Sequence, residues 1–190
     1  MADLIKDIIK ESIRIKEAVL SKLSKEIKTA AGMISIALKK GGKVILFGNG
    51  GSAADSQHIA AEFVGRFKLE RQGLASIALT TNTSIITSIA NDYGYEEIFS
   101  RQVEAIGSDN DIAIGISTSG NARNVIAGLL EAKKMGLKTI ALTGSGGGEM
   151  ATIADLALTV PSDNTARVQE AHIVIGHIIC ELAEQNLFGK

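Results

Sequence analysis

Residues Lys43 to Phe67 read KVILFGNGGSAADSQHIAAEFVGRF, and this stretch decides the fold. Val44, Ile45, Leu46 and Phe47 form a short apolar run of β-formers, which predicts a buried strand. Gly48-Asn49-Gly50-Gly51-Ser52 follows, a loop with few side chains to obstruct its backbone. Its N–H groups and the N-terminus of the helix that comes next can together hold an anion. On that helix His58 and Glu62 stand four residues apart, on one face and about 6 Å apart along the axis. The pair can share a metal, or one side chain can orient the other. A surface ion pair is the plainer alternative. An anion cradle beside a His/Glu pair points to chemistry on a phosphorylated small molecule.

The sequence downstream repeats the same alternation. Strand 75–80 leads through a Thr/Ser/Asn-rich turn to helices near 83–91 and 95–106. Strand 111–116 feeds a helix over 122–135, and strand 138–142 precedes a Gly-rich loop and a short helix near 147–153. Strand 156–160 stops at Pro161, the one proline, and a last helix over 164–187 is capped by Ser162 or Asp163. Near-continuous apolar strands alternating with helices predict an α/β domain whose parallel sheet is covered on both faces. Ligands of such sheets bind at the carboxyl ends of the strands. Upstream, Leu4, Ile5, Ile8, Ile9, Val19, Leu20, Leu23, Ile27, Ile34 and Leu38 recur mainly at three- and four-residue spacing. They predict a helix over 3–39, ended by Gly41-Gly42. The chain thus reads as one domain over 1–190. Its first 40 residues form a helical extension longer than one small sheet can cover, expected to pack partly against another subunit.

Composition narrows the function classes. The 190 residues are 45% hydrophobic without tryptophan, so the core must be built mostly from Ile, Leu, Val and Ala. A net charge of −1 with interspersed signs gives no footprint for nucleic acid or an anionic membrane. No charge-free apolar run reaches the roughly 18 residues a bilayer span needs. The charged N-terminus lacks the apolar core of a signal peptide. Cys180 is the one cysteine, in an apolar helical pattern, and reads as a small buried hydrophobe. The expected location is the cytoplasm.

Gly48, Gly50 and Ala53 also match the dinucleotide fingerprint. That reading wants a carboxylate near the end of the second strand, where Ala78-Leu79-Thr80-Thr81-Asn82 has none. No Gly-Lys-Ser/Thr follows any Gly cluster, which excludes a Walker loop. After the third strand, Ser117-Thr118-Ser119-Gly120-Asn121 offers three hydroxyls ahead of a helix, as phosphate donors or as ordinary N-caps. Gly144-Ser145-Gly146-Gly147-Gly148 reads as a flexible connection or a third binding loop, and Asn91-Asp92 as a turn or a pair of ligand groups. The last helix is apolar nearly all round from Val168 to Ile179. Gln169, His172 and His177 inside it need partners, since a lone buried polar group costs several kcal/mol, about 2–7.

Together, GNGGSAADSQH, the His58–Glu62 pair, Asn91-Asp92-Tyr93-Gly94, FSRQVEA from Phe99, ISTSGN from Ile116 and PSDNTARVQEAH continuing to His177 resemble the sugar isomerase (SIS) domain family. The likeness runs over essentially the whole chain, nearest to members acting on seven-carbon sugar phosphates. It implies a flavodoxin-like three-layer fold around a five-stranded parallel sheet, assembled as a homotetramer. It implies conversion of sedoheptulose 7-phosphate to D-glycero-D-manno-heptose 7-phosphate for bacterial surface glycans. By the same resemblance, Asn49, Gly50, Gly51, Ser52, Glu62, Asn91, Asp92, Ser117, Thr118, Ser119 and Gln169 would contact substrate. His58, Glu62, Gln169 and His177 would hold one zinc per subunit, with Glu62 as base and His177 as acid. One departure is Ala122, where some members carry a further serine. Other SIS readings stay open: an isomerase of another sugar phosphate, or a non-catalytic protein that binds a replication initiator or senses a sugar phosphate.

Helix geometry conflicts with that ligand set. Gln169 and His177 lie eight residues apart, about 12 Å along a straight helix and roughly 80° apart in direction. By spacing alone His172 is the easier companion of Gln169. A site shared between subunits, with the last helix of one facing the phosphate loop of another, would resolve the conflict.

Overall fold

The computed structural model describes residues 2–189. Its centre is β1, Val44–Gly48, buried at every position and paired in parallel with β2, Ser76–Ala78, and β3, Ile112–Ser117. Beyond β3 lie β4, Lys138–Thr143, and β5, Leu156–Thr159, also parallel. The order β2-β1-β3-β4-β5 is the flavodoxin-like one, whose topological switch point falls between β1 and β3. The α/β expectation holds, with five parallel strands.

Alternation along the strands assigns the two faces. Val44, Leu46, Ile112, Ile114, Ile116, Ile140, Leu142 and Leu158 turn to one side. There they meet α1, Ala2–Lys39, α2, Gly51–Val64, and α7, Thr165–Phe188. Ile45, Phe47, Ala113 and Ala141 turn to the other. That side is covered by α3, Thr83–Asp92, α4, Ser100–Ile106, α5, Arg123–Lys134, and α6, Gly148–Ile153. Gly115 lets α5 lie close to the sheet, since a Cβ there would meet Val125 Cγ1 at 2.8 Å.

Several boundaries differ from the sequence expectation. The edge strand β2 has three residues, although Leu79 N still donates to Leu46 O at 2.9 Å before the chain turns away. The helix expected over 95–106 is a 3-10 turn, Tyr95–Glu97, followed by α4, with the fully buried Ile98 and Phe99 between them. The cap of α7 is Asn164, whose Oδ1 accepts from Ala166 N at 3.2 Å, and not Ser162 or Asp163. α1 packs along α7 through Ile15, Val19, Leu23 and Ile27, while Leu4, Ile5, Ile8, Ile9, Ile13 and Leu20 stay exposed. No described helix is long and apolar enough to cross a membrane.

Candidate active site

The loops after β1 and β3 open side by side at the switch point. Gly48 is pressed between strand and helix: a Cβ would lie 2.7 Å from Ile116 O and 2.8 Å from Ser52 Cβ. Gly50 follows at φ 53°, a left-handed conformation that favours glycine. This turn lets α2 begin at once, with Ser52 N donating to Asn49 O at 2.9 Å. A cavity of about 570 Å³ lies here, walled by Asn49, Gly51, Ser52, Thr118, Gln169 and the start of α7 at Asn164–Ala166. A second space of about 100 Å³ adjoins it between Asn49, Ser52, Ser117, Thr118 and Ala122.

The three hydroxyls of the second loop are not helix caps. α5 starts at Arg123 and its N-cap is Ala122, so Ser117 closes β3 and Thr118 and Ser119 belong to the loop after it. Ser117 and Ser119 hydroxyls face each other at 3.4 Å. The third Gly cluster packs as a buttress against the second loop. At Gly120 a Cβ would sit 2.1 Å from Gly147 O, and at Gly148 one would sit 2.5 Å from Gly120 O. Met150 N donates to Gly120 O at 3.0 Å, and Glu149 N to Asn121 Oδ1 at 3.0 Å. Bare glycines let the two loops touch.

Nearly two turns further along α2, His58 Nε2 lies 3.1 Å from Glu62 Oε1 and 3.1 Å from His177 Nε2. Ligand atoms of all three residues lie within 4.8 Å of one another. The cause is a helix crossing. At Gly176 α7 passes so close to α2 that a Cβ would meet Ile59 Cδ1 at 2.5 Å. The residues next in line, His177 and His58, are thereby brought face to face, with ring centroids 5.0 Å apart. Phe67 packs on the other side of His177 at 5.4 Å. Two imidazoles and a carboxylate about 3 Å apart suit a divalent cation, whose tetrahedral bonds of about 2.0–2.2 Å require a similar ligand spacing.

His177 therefore meets His58 and Glu62 within one chain, without a contribution from a second subunit. Gln169 has its hydrogen bond elsewhere, to Asp55. It lies over Gly51, where a Cβ would come 3.0 Å from its Cδ, and its Nε2 donates to Asp55 Oδ1 at 3.2 Å. His172, the easier partner by spacing, faces the sheet: it is fully buried, with Nε2 at 3.0 Å from Thr143 O. Burial lowers its pKa to about 4 despite that hydrogen bond, so the ring is neutral and Nε2–H donates. Asn91 and Asp92 are exposed at the end of α3, with Asn91 Nδ2 bonded to Asp92 Oδ1 at 2.8 Å, and they line neither cavity.

Three residues escaped the sequence reading. Asp55 is 5% exposed; burial raises its carboxyl pKa, opposed by the Gln169 hydrogen bond and by His58 and His177. It hydrogen-bonds Gln169 of the cavity wall and feels the charge of both histidines, and its place three residues before His58 was the available signal. Asn124 and Tyr95 hydrogen-bond the Asn49 side chain from distant segments, and nothing local in the sequence marks them. Elsewhere, the roomy groove between α1 and α7, about 410 Å³, is mostly apolar and holds no cluster able to do acid–base work.

The SIS domain profile matches residues 8–144. The chain belongs to the SIS domain family. Within that family it is 56% identical to the phosphoheptose isomerase of Aquifex aeolicus over 97% of both chains. The solved phosphoheptose isomerase of Neisseria gonorrhoeae superposes with a TM-score of 0.92 at 42% identity, covering 97% of this chain and 98% of the other. That of Francisella tularensis gives 0.94 at 38% identity with the same coverage. Within the SIS fold, the cavity lies where the β1 and β3 loops meet, and the His58–Glu62–His177 group stands nearly two helix turns from it.

Proposed function

We propose that this SIS-domain chain is a phosphoheptose isomerase, converting sedoheptulose 7-phosphate to D-glycero-D-manno-heptose 7-phosphate. The observation that carries the reading is the separation of two features on α2. His58 lies six residues beyond Ser52, about 9 Å along the helix axis. Glu62 returns its carboxylate to His58, because side chains on a helix lean toward its N-terminus. A sugar held by its phosphate in the two loops can thus lay its far end against the acid–base pair. The small cavity takes the phosphate, gripped by Ser52, Ser117, Thr118, Ser119 and the Gly50 and Gly51 amides. The larger one takes the chain of hydroxyls, with Asn49 and Gln169 as walls.

Aldose–ketose isomerisation moves a proton between C1 and C2 through an enediol. Glu62 takes the proton from C1 and returns it at C2, and His177 supplies and removes the proton on oxygen. His58, Glu62 and His177 fit a zinc ion, with Gln169 as fourth ligand if it leaves Asp55. Bound there, zinc would instead polarise the substrate carbonyl, and because a carboxylate on zinc is a poorer base, the ligand and base roles of Glu62 compete. Asp55 fixes Gln169 and lies beside both histidines. The exposed apolar face of α1 supports packing against further copies in a homotetramer. Asn91 and Asp92, which line neither cavity of their own chain, then serve a neighbouring subunit. The product would feed bacterial surface glycans from the cytoplasm.

The test is incubation of purified, metal-quantified protein with sedoheptulose 7-phosphate and, separately, with pentose 5-phosphates. Aldose formed from the heptulose and little from the pentoses is expected. No aldose from the heptulose, or faster conversion of the pentoses, rejects the reading.

A further inference from the structure

Asn49 borders both cavities, yet its carboxamide is not held by its own loop. Its Nδ2 donates to Asn124 Oδ1 at 2.8 Å, and Asn124 Nδ2 donates back to Asn49 Oδ1 at 2.9 Å. Tyr95 adds its hydroxyl, donating to Asn49 Oδ1 at 3.1 Å. Asn124 sits in the first turn of α5, is 4% exposed and lines neither cavity. Among the described residues these are the only side-chain hydrogen bonds joining segment 49–52 to segment 117–124. The main-chain ladder between the two strands ends at Gly48 and Ile116, just before the loops diverge.

We propose that Asn124 is a positioning residue, which through the Asn49 carboxamide sets the register between the two loops that together hold the substrate. This rests on the phosphoheptose isomerase reading. The reciprocal pair fixes the two amides against each other. Asn49 Oδ1 already takes two donors and one Nδ2 hydrogen goes to Asn124, so the second Nδ2 hydrogen is left for a ligand oxygen. Without Asn124 that N–H loses its aim and the first loop loses its tie to the second. The phosphate keeps its hydroxyls and amides, but the reacting carbons drift relative to Glu62. A displacement of about 1 Å at the reacting atoms is enough to cost about a hundredfold in rate.

A double-mutant cycle tests this, using Asn49→Ala, Asn124→Ala and both together, with sedoheptulose 7-phosphate as substrate and inorganic phosphate as competitive inhibitor. Asn124→Ala should lower kcat about ten- to a hundredfold while KM moves less than about threefold. The inhibition constant of phosphate should stay put. The double variant should match Asn49→Ala alone, because Asn124 acts through Asn49. Asn124→Asp, of the same shape, keeps the acceptor for Asn49 Nδ2 and loses the return donor. It should fall between wild type and alanine, and it carries the test if the alanine variant fails to fold. Losses that multiply across the cycle, phosphate binding that weakens in step with kcat, or variants as active as wild type would overturn the proposal. An unaltered protein that does not turn over the heptulose would overturn the functional reading and this proposal with it. A multiplicative cycle in active protein overturns this proposal alone.

Discussion

Replacing Glu184 by glutamine should destabilise the protein far more than a single amide-for-carboxylate exchange usually does. The Glu184 side chain is 1% exposed, and its carboxylate accepts from Phe67 N at 2.7 Å, Lys68 N at 2.8 Å, Leu69 N at 3.0 Å and Arg71 Nε at 2.8 Å. Burial alone would raise its pKa, but the N–H groups of Leu69, Lys68 and Phe67 and the Arg71 guanidinium outweigh it and bring it to about 2. Against an ordinary value of 4.5, that is about 3 kcal/mol of stability drawn from the ionised form. Arg71 in turn donates to Phe63 O at 2.8 Å and Glu62 O at 2.9 Å, so the cluster also ties down the end of α2. A glutamine must point its NH2 group at some of these donors and leaves the buried Arg71 charge unanswered, which costs about 3–5 kcal/mol.

The measurement is urea unfolding followed by circular dichroism at fixed protein concentration, for wild type and Glu184→Gln, between pH 7 and 3. Because the folded pKa lies below the unfolded one, the stabilisation is complete above about pH 4.5 and drains away as pH falls toward 2. The gap between the two proteins should be about 3 kcal/mol at pH 7 and shrink steadily below pH 4.5. A gap under about 1 kcal/mol at pH 7, or one that stays constant down to pH 3, would refute the reasoning.

Glu62→Gln should abolish isomerisation while circular dichroism and oligomer size stay unchanged; near-normal turnover would remove Glu62 as the base. Gly176→Ala forces a Cβ toward Ile59 Cδ1, where only 2.5 Å is available, so it should lower stability by about 1–3 kcal/mol. By parting His177 from His58 it should also weaken zinc retention, read by chelator competition, and an unchanged chelator midpoint would count against the crossing as the cause of the cluster. Ala122→Ser returns a hydroxyl to the edge of the small cavity and should tighten inorganic phosphate inhibition about two- to tenfold. An unchanged inhibition constant would mean the phosphate lies elsewhere.

Much of the architecture was legible because it is written in local chemistry. Apolar runs at 44–47, 112–116 and 138–142 can only be strands covered on both faces, and the parallel order follows from the helices between them. The glycines at 48, 50 and 51 mark a loop whose backbone must come close to something, and His58 and Glu62 share a helix face by spacing alone. What the linear chain left open was every relation between helices that meet far apart in sequence. Spacing along α7 made His172 the natural companion of Gln169, yet the direction of a side chain depends on where its helix crosses its neighbour. Gly176 against Ile59 sets that crossing, which turns His177 to the site and His172 to the sheet. The Asn49–Asn124 pair and the Glu184 cluster join residues 75 and more than 110 positions apart, and only the packed sheet and helices bring such groups within hydrogen-bonding reach.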